Sequence, residues 1–242
     1  MPPSDALKGR EVVLAGGAGG IGSAVVEAML AEGARLVISF RINRERAARW
    51  QDAATVVQAD LASAADRARL LDAAPNLYGL VVLSGDAARF HDPSQIEAAM
   101  HRSHEANYLG PILFAREAAE RMKAAGTPGA IVLVSTMQAN ALFPGSTVYA
   151  AQKAALQHAA LILARECRGK ANIRVNVISP GITAAGMAEA SIAAGKYNRF
   201  LDDGVIGRFG RAEDVARAIR FFLEPDNYVT GQVLCVDGGI TL

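Results

Sequence analysis

Short aliphatic runs alternate with longer alanine-rich segments from one end of the chain to the other. Residues 11–15, Glu-Val-Val-Leu-Ala, are apolar at consecutive positions rather than at every second one. That pattern fits a strand covered on both faces. Residues 35–40, 55–59, 80–83, 130–134, 173–178 and 232–236 repeat it. Between them lie segments with helical spacing: 21–33, 43–50, 63–73, a long stretch 93–123 that should bend at Gly110-Pro111, then 147–169 and 212–223. Gly33 suits the position just past a helix end, and Ser63 suits an N-cap. The alternation predicts an α/β fold, a doubly wound parallel sheet of about seven strands with helices on both faces. No composition break, repeat or linker divides the chain, so residues 1–242 read as a single domain. Residues 183–206 lack a strand pattern and follow the sixth strand. A long irregular connection at that end of such a sheet is expected to be a substrate lid.

Composition narrows the class. Half of the 242 residues (51%) are hydrophobic but only 6% are aromatic, and 48 alanines fill the gap. No segment approaches the ~20 uninterrupted apolar residues of a membrane helix. A net charge of +1 lacks the basic excess of a nucleic-acid binder. Cys167 and Cys235 are too few for a disulfide framework or a zinc site and read as small core residues. His101 and His104 lack a third ligand, so no metal is expected. The opening Met1-Pro2-Pro3-Ser4-Asp5 shows no secretory pattern, and the expected setting is cytoplasmic.

Chemistry enters at the turn after the first strand. Gly16, Gly20 and Gly22 lie there, with Gly17 and Gly19 between them. Glycines let backbone approach a ligand, and the following helix start offers free N–H groups to phosphate. The spacing G-x-x-x-G-x-G in this context predicts dinucleotide binding. An acidic residue after the second strand would read the ribose of NAD. This chain has Ser39-Phe40-Arg41 instead, so Arg41, with Ser39 or Arg44 assisting, is set to read a 2′-phosphate. NADP is the expected cofactor and NAD the second choice. Downstream, Tyr149 and Lys153 are i and i+4 and share a helix face. An ammonium beside a phenol would lower its pKa and equip Tyr149 as a general acid or base for an alcohol–carbonyl pair.

With these residues the chain, from about Leu7 to Leu242, resembles the short-chain dehydrogenase/reductase family in its compact form. Asp60-Leu61, Asn107-Tyr108-Leu109-Gly110, Ser179-Pro180-Gly181, Gly207-Arg208-Phe209-Gly210 and Val236-Asp237-Gly238-Gly239 carry the resemblance further. It is most similar to 3-oxoacyl-[acyl-carrier-protein] reductases. The resemblance implies a Rossmann-type sheet in the order 3-2-1-4-5-6-7. It implies that Tyr149 protonates a carbonyl oxygen, that Lys153 lowers the phenol pKa and holds the nicotinamide ribose, and that Asn107 anchors a proton-relay water. Implied cofactor contacts are Gly16, Gly20, Ile21, Gly22 and Arg41, then Asp60 and Leu61 at the adenine. Ser84, Gly85, Tyr149, Lys153, Pro180, Gly181, Ile182 and Thr183 complete the set. The implied assembly is a homotetramer, with a homodimer as the alternative.

The departures from the family pattern are local. Ala15 stands where the family has Thr, and Val82-Leu83-Ser84-Gly85 replaces Asn-Asn-Ala-Gly. The catalytic hydroxyl falls on Thr136, with Ser135 restored by a one-residue shift. Thr183 stands in for a Thr whose family position is Ala185. The expected function is NADP(H)-dependent interconversion of a secondary alcohol and a ketone on a small-molecule substrate. If the substrate is carrier-bound, Arg168 and Lys170 are the candidate basic residues at the mouth. The rival class is a nucleotide-binding sensor or scaffold that kept the fold and lost turnover; retention of Asn107, Tyr149 and Lys153 argues against it.

Overall fold

Along the first strand, Val12 and Leu14 pack on one side of the sheet, Val13 and Ala15 on the other, and all four are fully buried. Period-two alternation with both rows apolar puts this strand at the sheet centre. The chain is described by a computed structural model over residues 5–242; Met1–Ser4, most of the opening segment read above for a leader, lie outside the described residues. Strands β1 (Glu11–Ala15), β2 (Arg35–Phe40), β3 (Thr55–Gln58), β4 (Leu77–Val82), β5 (Gly129–Val134), β6 (Ile173–Pro180) and β7 (Val233–Val236) form one parallel sheet in the order 3-2-1-4-5-6-7. This is the Rossmann-type order expected.

The helices are α1 (Gly20–Ala31), α2 (Arg44–Ala48), α3 (Ala64–Asp72), α4 (Ile96–His104), α5 (Gly110–Ala125), α6 (Thr147–Glu166), α7 (Glu189–Ala193), α8 (Arg199–Asp202) and α9 (Ala212–Leu223). Val25 and Met29 of α1 and Ile219 and Phe222 of α9 cover one face of the sheet. Leu70 of α3, Phe114 of α5 and Leu156 of α6 cover the other. Gly33 takes the left-handed conformation (φ 77°), and the Ser63 hydroxyl accepts from the Asp66 amide at 3.3 Å. Strand β4 starts at Leu77, earlier than its pattern suggests, because Gly79 interrupts the aliphatic run; a Cβ there would stand 3.0 Å from the Val12 side chain.

Three readings need correction. The long helix is two helices joined by a π-helical segment, Glu105–Leu109. Pro111 has no N–H to offer the carbonyl four residues back, so the ladder must shift register just where the bend was expected. Cys167 is buried, but Cys235 is exposed, because β7 is an edge strand. Arg168 and Lys170 follow α6 and precede β6, which places them at the N-terminal edge of the sheet, away from the strand ends that build the cavity.

One buried cation holds the two layers together. Arg174 of β6, 4% exposed, donates to the carbonyls of Phe222 (2.7 Å) and Glu224 (2.8 Å) at the end of α9. The Tyr78 hydroxyl donates to the Leu223 carbonyl between them at 2.8 Å. The orphan carbonyls and negative dipole end of α9 are thereby satisfied from the sheet. Arg174→Met keeps the stem and removes both donors. It is expected to cost about 2 kcal/mol, seen as a fall of roughly 6 °C in Tm by calorimetry.

Candidate active site

The C-terminal ends of the strands open into a cavity of about 1310 Å³. That exceeds the ~300–1,000 Å³ of an ordinary ligand pocket, so there is room for a dinucleotide and a second molecule. At one end lies the turn between β1 and α1. A Cβ on Gly20 would stand 2.4 Å from the Gly186 amide nitrogen, and one on Gly22 would stand 2.4 Å from the Gly16 carbonyl. Gly16 has φ 84°, and its Cβ would meet the Ser84 amide at 2.9 Å. Backbone therefore forms this wall because no side chain fits. The N-cap of α1, Gly19, makes no side-chain cap, so the first amides and the positive dipole end face the cavity unspent. Ser84 Oγ, also on the wall, is buried with no hydrogen-bond partner. A glycine cradle, an uncapped helix start and an orphaned hydroxyl fit a phosphate-bearing dinucleotide with a ribose near Ser84.

The adenosine end departs in part from the sequence reading. Arg41, Asp60 and Leu61 line it as expected. Ser39 also lines the cavity, and its hydroxyl accepts from the Gly16 amide at 3.1 Å, tying β2 to the glycine turn while keeping its own O–H to donate. That bond compensates for the Thr replaced by Ala15. Arg44 is absent from the wall, and Arg46 and Asn43 stand there instead. Residues two apart on a helix point roughly 200° apart, so 44 and 46 cannot both face inward. Arg46 carried no signal in the sequence beyond this helical phase. Leu61 is fixed from behind by Arg67, which donates to its carbonyl at 2.7 Å and grips Glu117 of α5.

The other end gathers the polar chemistry. Tyr149 and Lys153 stand on the first turns of α6, and Thr136 follows β5. The Thr136 hydroxyl stands beside the Tyr149 phenol and acts to lower its pKa, and it accepts from the Gln138 amide at 3.4 Å. Ser135 turns the other way and donates to the Lys153 carbonyl at 3.0 Å. Lys153, 3% exposed, donates from Nζ to the Val134 carbonyl at 2.9 Å. Burial pushes the Tyr149 phenol up to about 12, against the lowering effect of Thr136, and pushes Lys153 down to about 8. Desolvation is the largest effect on each group and favours its neutral form, and no lowering of the phenol by the Lys153 ammonium accompanies it.

Asn107 does not line the cavity. It is fully buried beneath it, donating to the Asp86 carbonyl (2.9 Å) and Ser103 Oγ (3.0 Å) and accepting from the Asp86 amide (3.0 Å). Its side chain therefore holds the turn at Gly85, where a Cβ would stand 2.8 Å from Asn107 Oδ1. The neighbour Ala106 does line the cavity. Its carbonyl lacks a helical donor, because the Gly110 amide bonds Glu105 and Pro111 has none. Gly16, Gly20, Ile21, Gly22, Ser84, Gly85, Pro180, Gly181, Ile182 and Thr183 all line the cavity as expected. The segment 183–206 contributes Gly186 and Met187 near the glycine turn, and Arg89 donates to the Met187 carbonyl at 2.8 Å. No cluster of metal-ligating side chains occurs among the described residues.

A family model described as enoyl-(acyl carrier protein) reductase matches residues 16–241. The chain belongs to the short-chain dehydrogenase/reductase family. It is 31% identical to an uncharacterised oxidoreductase of Methylorubrum extorquens, over 97% of this chain and 98% of that protein. It is 28% identical to NADPH-dependent aldehyde reductase 2, a chloroplastic protein of Arabidopsis thaliana, over 99% and 97%. A solved short-chain type dehydrogenase/reductase from Mycobacterium ulcerans superposes with a TM-score of 0.88 at 27% identity, covering 97% of this chain and 90% of that one. This family member is an enzyme, an oxidoreductase with reductases among its relatives. No helix among its described residues is long and apolar enough to cross a membrane.

Proposed function

We propose that this short-chain dehydrogenase/reductase uses NADP(H) to interconvert a secondary alcohol and a ketone, with Tyr149 as the general acid and base. The observation that carries the reading is the Thr136–Tyr149 hydroxyl pair above the buried Lys153, in one cavity with the glycine cradle. When bound, the nicotinamide supplies or accepts the hydride. Thr136, whose hydroxyl accepts from the Gln138 amide but keeps its proton to give, orients the carbonyl oxygen toward the phenol. Tyr149, protonated at neutral pH, gives that oxygen its proton. Lys153 then stands close enough, four residues along the same helix, to stabilise the phenolate left behind. The Ala106 carbonyl, without a helical donor, is positioned to accept from a water that returns the proton. Consumption of NADPH with a panel of ketones, set against Tyr149→Phe, tests the reading.

NADP over NAD rests on Arg41 and Arg46, neither of which is in an ion pair among the described residues. The NADPH-dependent Arabidopsis relative points the same way. Replacing both by Ala should raise the KM for NADPH at least ~tenfold, as the loss of one charge-assisted bond would. The KM for NADH should stay within about twofold. Equal changes for both cofactors would remove the 2′-phosphate assignment. A homotetramer is the proposed assembly. Phe221 on α9 and Leu234 on β7 are both exposed, and Leu109 and Ile162 beside α5 and on α6 offer a second face.

A further inference from the structure

Resting on that oxidoreductase reading, we propose that the substrate is an anion: a ketone that carries a carboxylate on an apolar or aryl body, its charge read by Lys196 and Arg199 of the lid. About half of the cations in this chain are engaged by acids, as Arg35 is by Glu11 and Arg208 by Asp214. Lys196 and Arg199 are not in any ion pair among the described residues, although both line the cavity. Their charges rest instead over rings that also line it. Lys196 Nζ is 5.6 Å from the Tyr197 ring and the Arg199 guanidinium 4.8 Å from that of Phe200. Such exposed cation–π contacts are worth about 0.5–1 kcal/mol and leave every N–H free for an oxyanion.

Their place in the fold separates them from the cofactor's phosphates. The lid segment bearing them returns through Ile206, whose amide donates to the Phe200 carbonyl at 3.1 Å and whose side chain lies against Gly238, just past β7. That is the β6–β7 side of the sheet, whereas Arg41 and Arg46 follow β2 on the other side of β1. One acid, Glu189, lines the same end, and its carboxylate is already taken by the Gly186 amide at 2.9 Å. Arg89, which braces the lid, adds a third positive charge. The field over this end is therefore positive. Phe90, Met137, Phe143 and Val148 give the same cavity apolar wall, alongside the polar Gln138 and Ser146. An apolar wall capped by unpaired cations selects an amphiphilic anion. The reaction leaves the carboxylate untouched: the ketone carbon takes a hydride from NADPH, its oxygen takes the Tyr149 proton, and an alcohol and NADP⁺ result.

The test has a turnover arm and a binding arm. Probes for the first are 2-oxo-2-phenylacetate, 4-oxo-4-phenylbutanoate and 5-oxo-5-phenylpentanoate, each against its methyl ester, at saturating NADPH. At least one acid should exceed its ester in kcat/KM by roughly tenfold, and the ratio should shrink in high salt and fall to about one in Lys196→Gln/Arg199→Gln. For the second, calorimetry on the NADPH-loaded protein compares 4-phenylbutanoate with 4-phenylbutanamide, neither of which can be reduced. The acid should bind roughly tenfold more tightly, and the double variant should lose that preference. Esters reduced as well as acids, with no binding preference, would overturn the proposal and leave the oxidoreductase reading standing. Preferential binding of the acid without turnover of any ketone would do the reverse. If the double variant weakens NADPH binding and leaves both acid preferences intact, the two cations serve the cofactor and the proposal falls.

Discussion

Tyr149→Phe is expected to lower kcat/KM for ketone reduction by roughly 10³-fold, within the 10²–10⁴ that a positioned general acid contributes. The substitution keeps the ring and removes the one proton that the site offers to a carbonyl oxygen. NADPH affinity should change by less than about tenfold, because the glycine cradle, Ser84 and the arginines at the far end are untouched. The adjacent hydroxyls of Thr136 and Ser135 should separate in the same assay. Thr136→Val removes the hydroxyl beside the phenol and should lower kcat strongly. Ser135→Ala removes a bond to the Lys153 carbonyl and should act on stability, with kcat changed only a few-fold. The phenol, pushed up to about 12, stays protonated across the working range, so loss of reduction above pH 8 would come from Lys153, which burial pushes down to about 8. Activity of Tyr149→Phe within tenfold of the parent would sink the general-acid assignment, and a parent that turns over no ketone would leave the scaffold reading as the better one.

The strands and the glycine turn were legible because each rests on local chemistry, whereas the strand order came with the family resemblance. Consecutive apolar residues such as Val12-Val13-Leu14 announce burial on both faces, and Gly16, Gly20 and Gly22 stand where a Cβ would strike backbone. What the sequence left open depended on facing. Ser135 and Thr136 are adjacent and chemically alike, and only the strand's alternation decides which one meets Tyr149 and which one meets α6. Arg44 and Arg46 pose the same question on a helix, where phase puts Arg46 inside. Arg168 and Lys170 were misplaced because a crossover helix runs opposite to its strands, which a linear reading does not display. The rise of the Tyr149 phenol had no signal in the sequence for another reason: the spacing of an ammonium is visible there, whereas desolvation is a property of the packed site.

Lys153→Met should make the protein more stable and nearly inactive. The ammonium is 3% exposed and donates to the Val134 carbonyl, and no carboxylate among the described residues pairs with its charge. Burial lowers its pKa from 10.5 to about 8. A lysine lowered in the folded state opposes folding: the cost is fully present below pH 8, where the residue is charged in both states, and is relieved as pH rises from 8 toward 10.5. At 1.36 kcal/mol per pKa unit the cost is about 3 kcal/mol, partly offset by the bond to Val134. Methionine fills similar volume without a charge, so a gain of roughly 2 kcal/mol is expected at pH 7, or about 5 °C in Tm for a chain of this size. The gap between parent and variant should narrow steadily above pH 8 and close near 10.5. Reduction should fall by roughly 10²–10³-fold, because the phenolate left after proton donation no longer has a cation beside it. A variant whose Tm falls, or whose stability gain is the same at pH 7 and pH 10.5, would show that Lys153 is not held as a strained buried charge. Stability and turnover pull in opposite directions at this one residue because the enclosure that disfavours the ammonium is the same enclosure in which its charge acts most strongly on Tyr149.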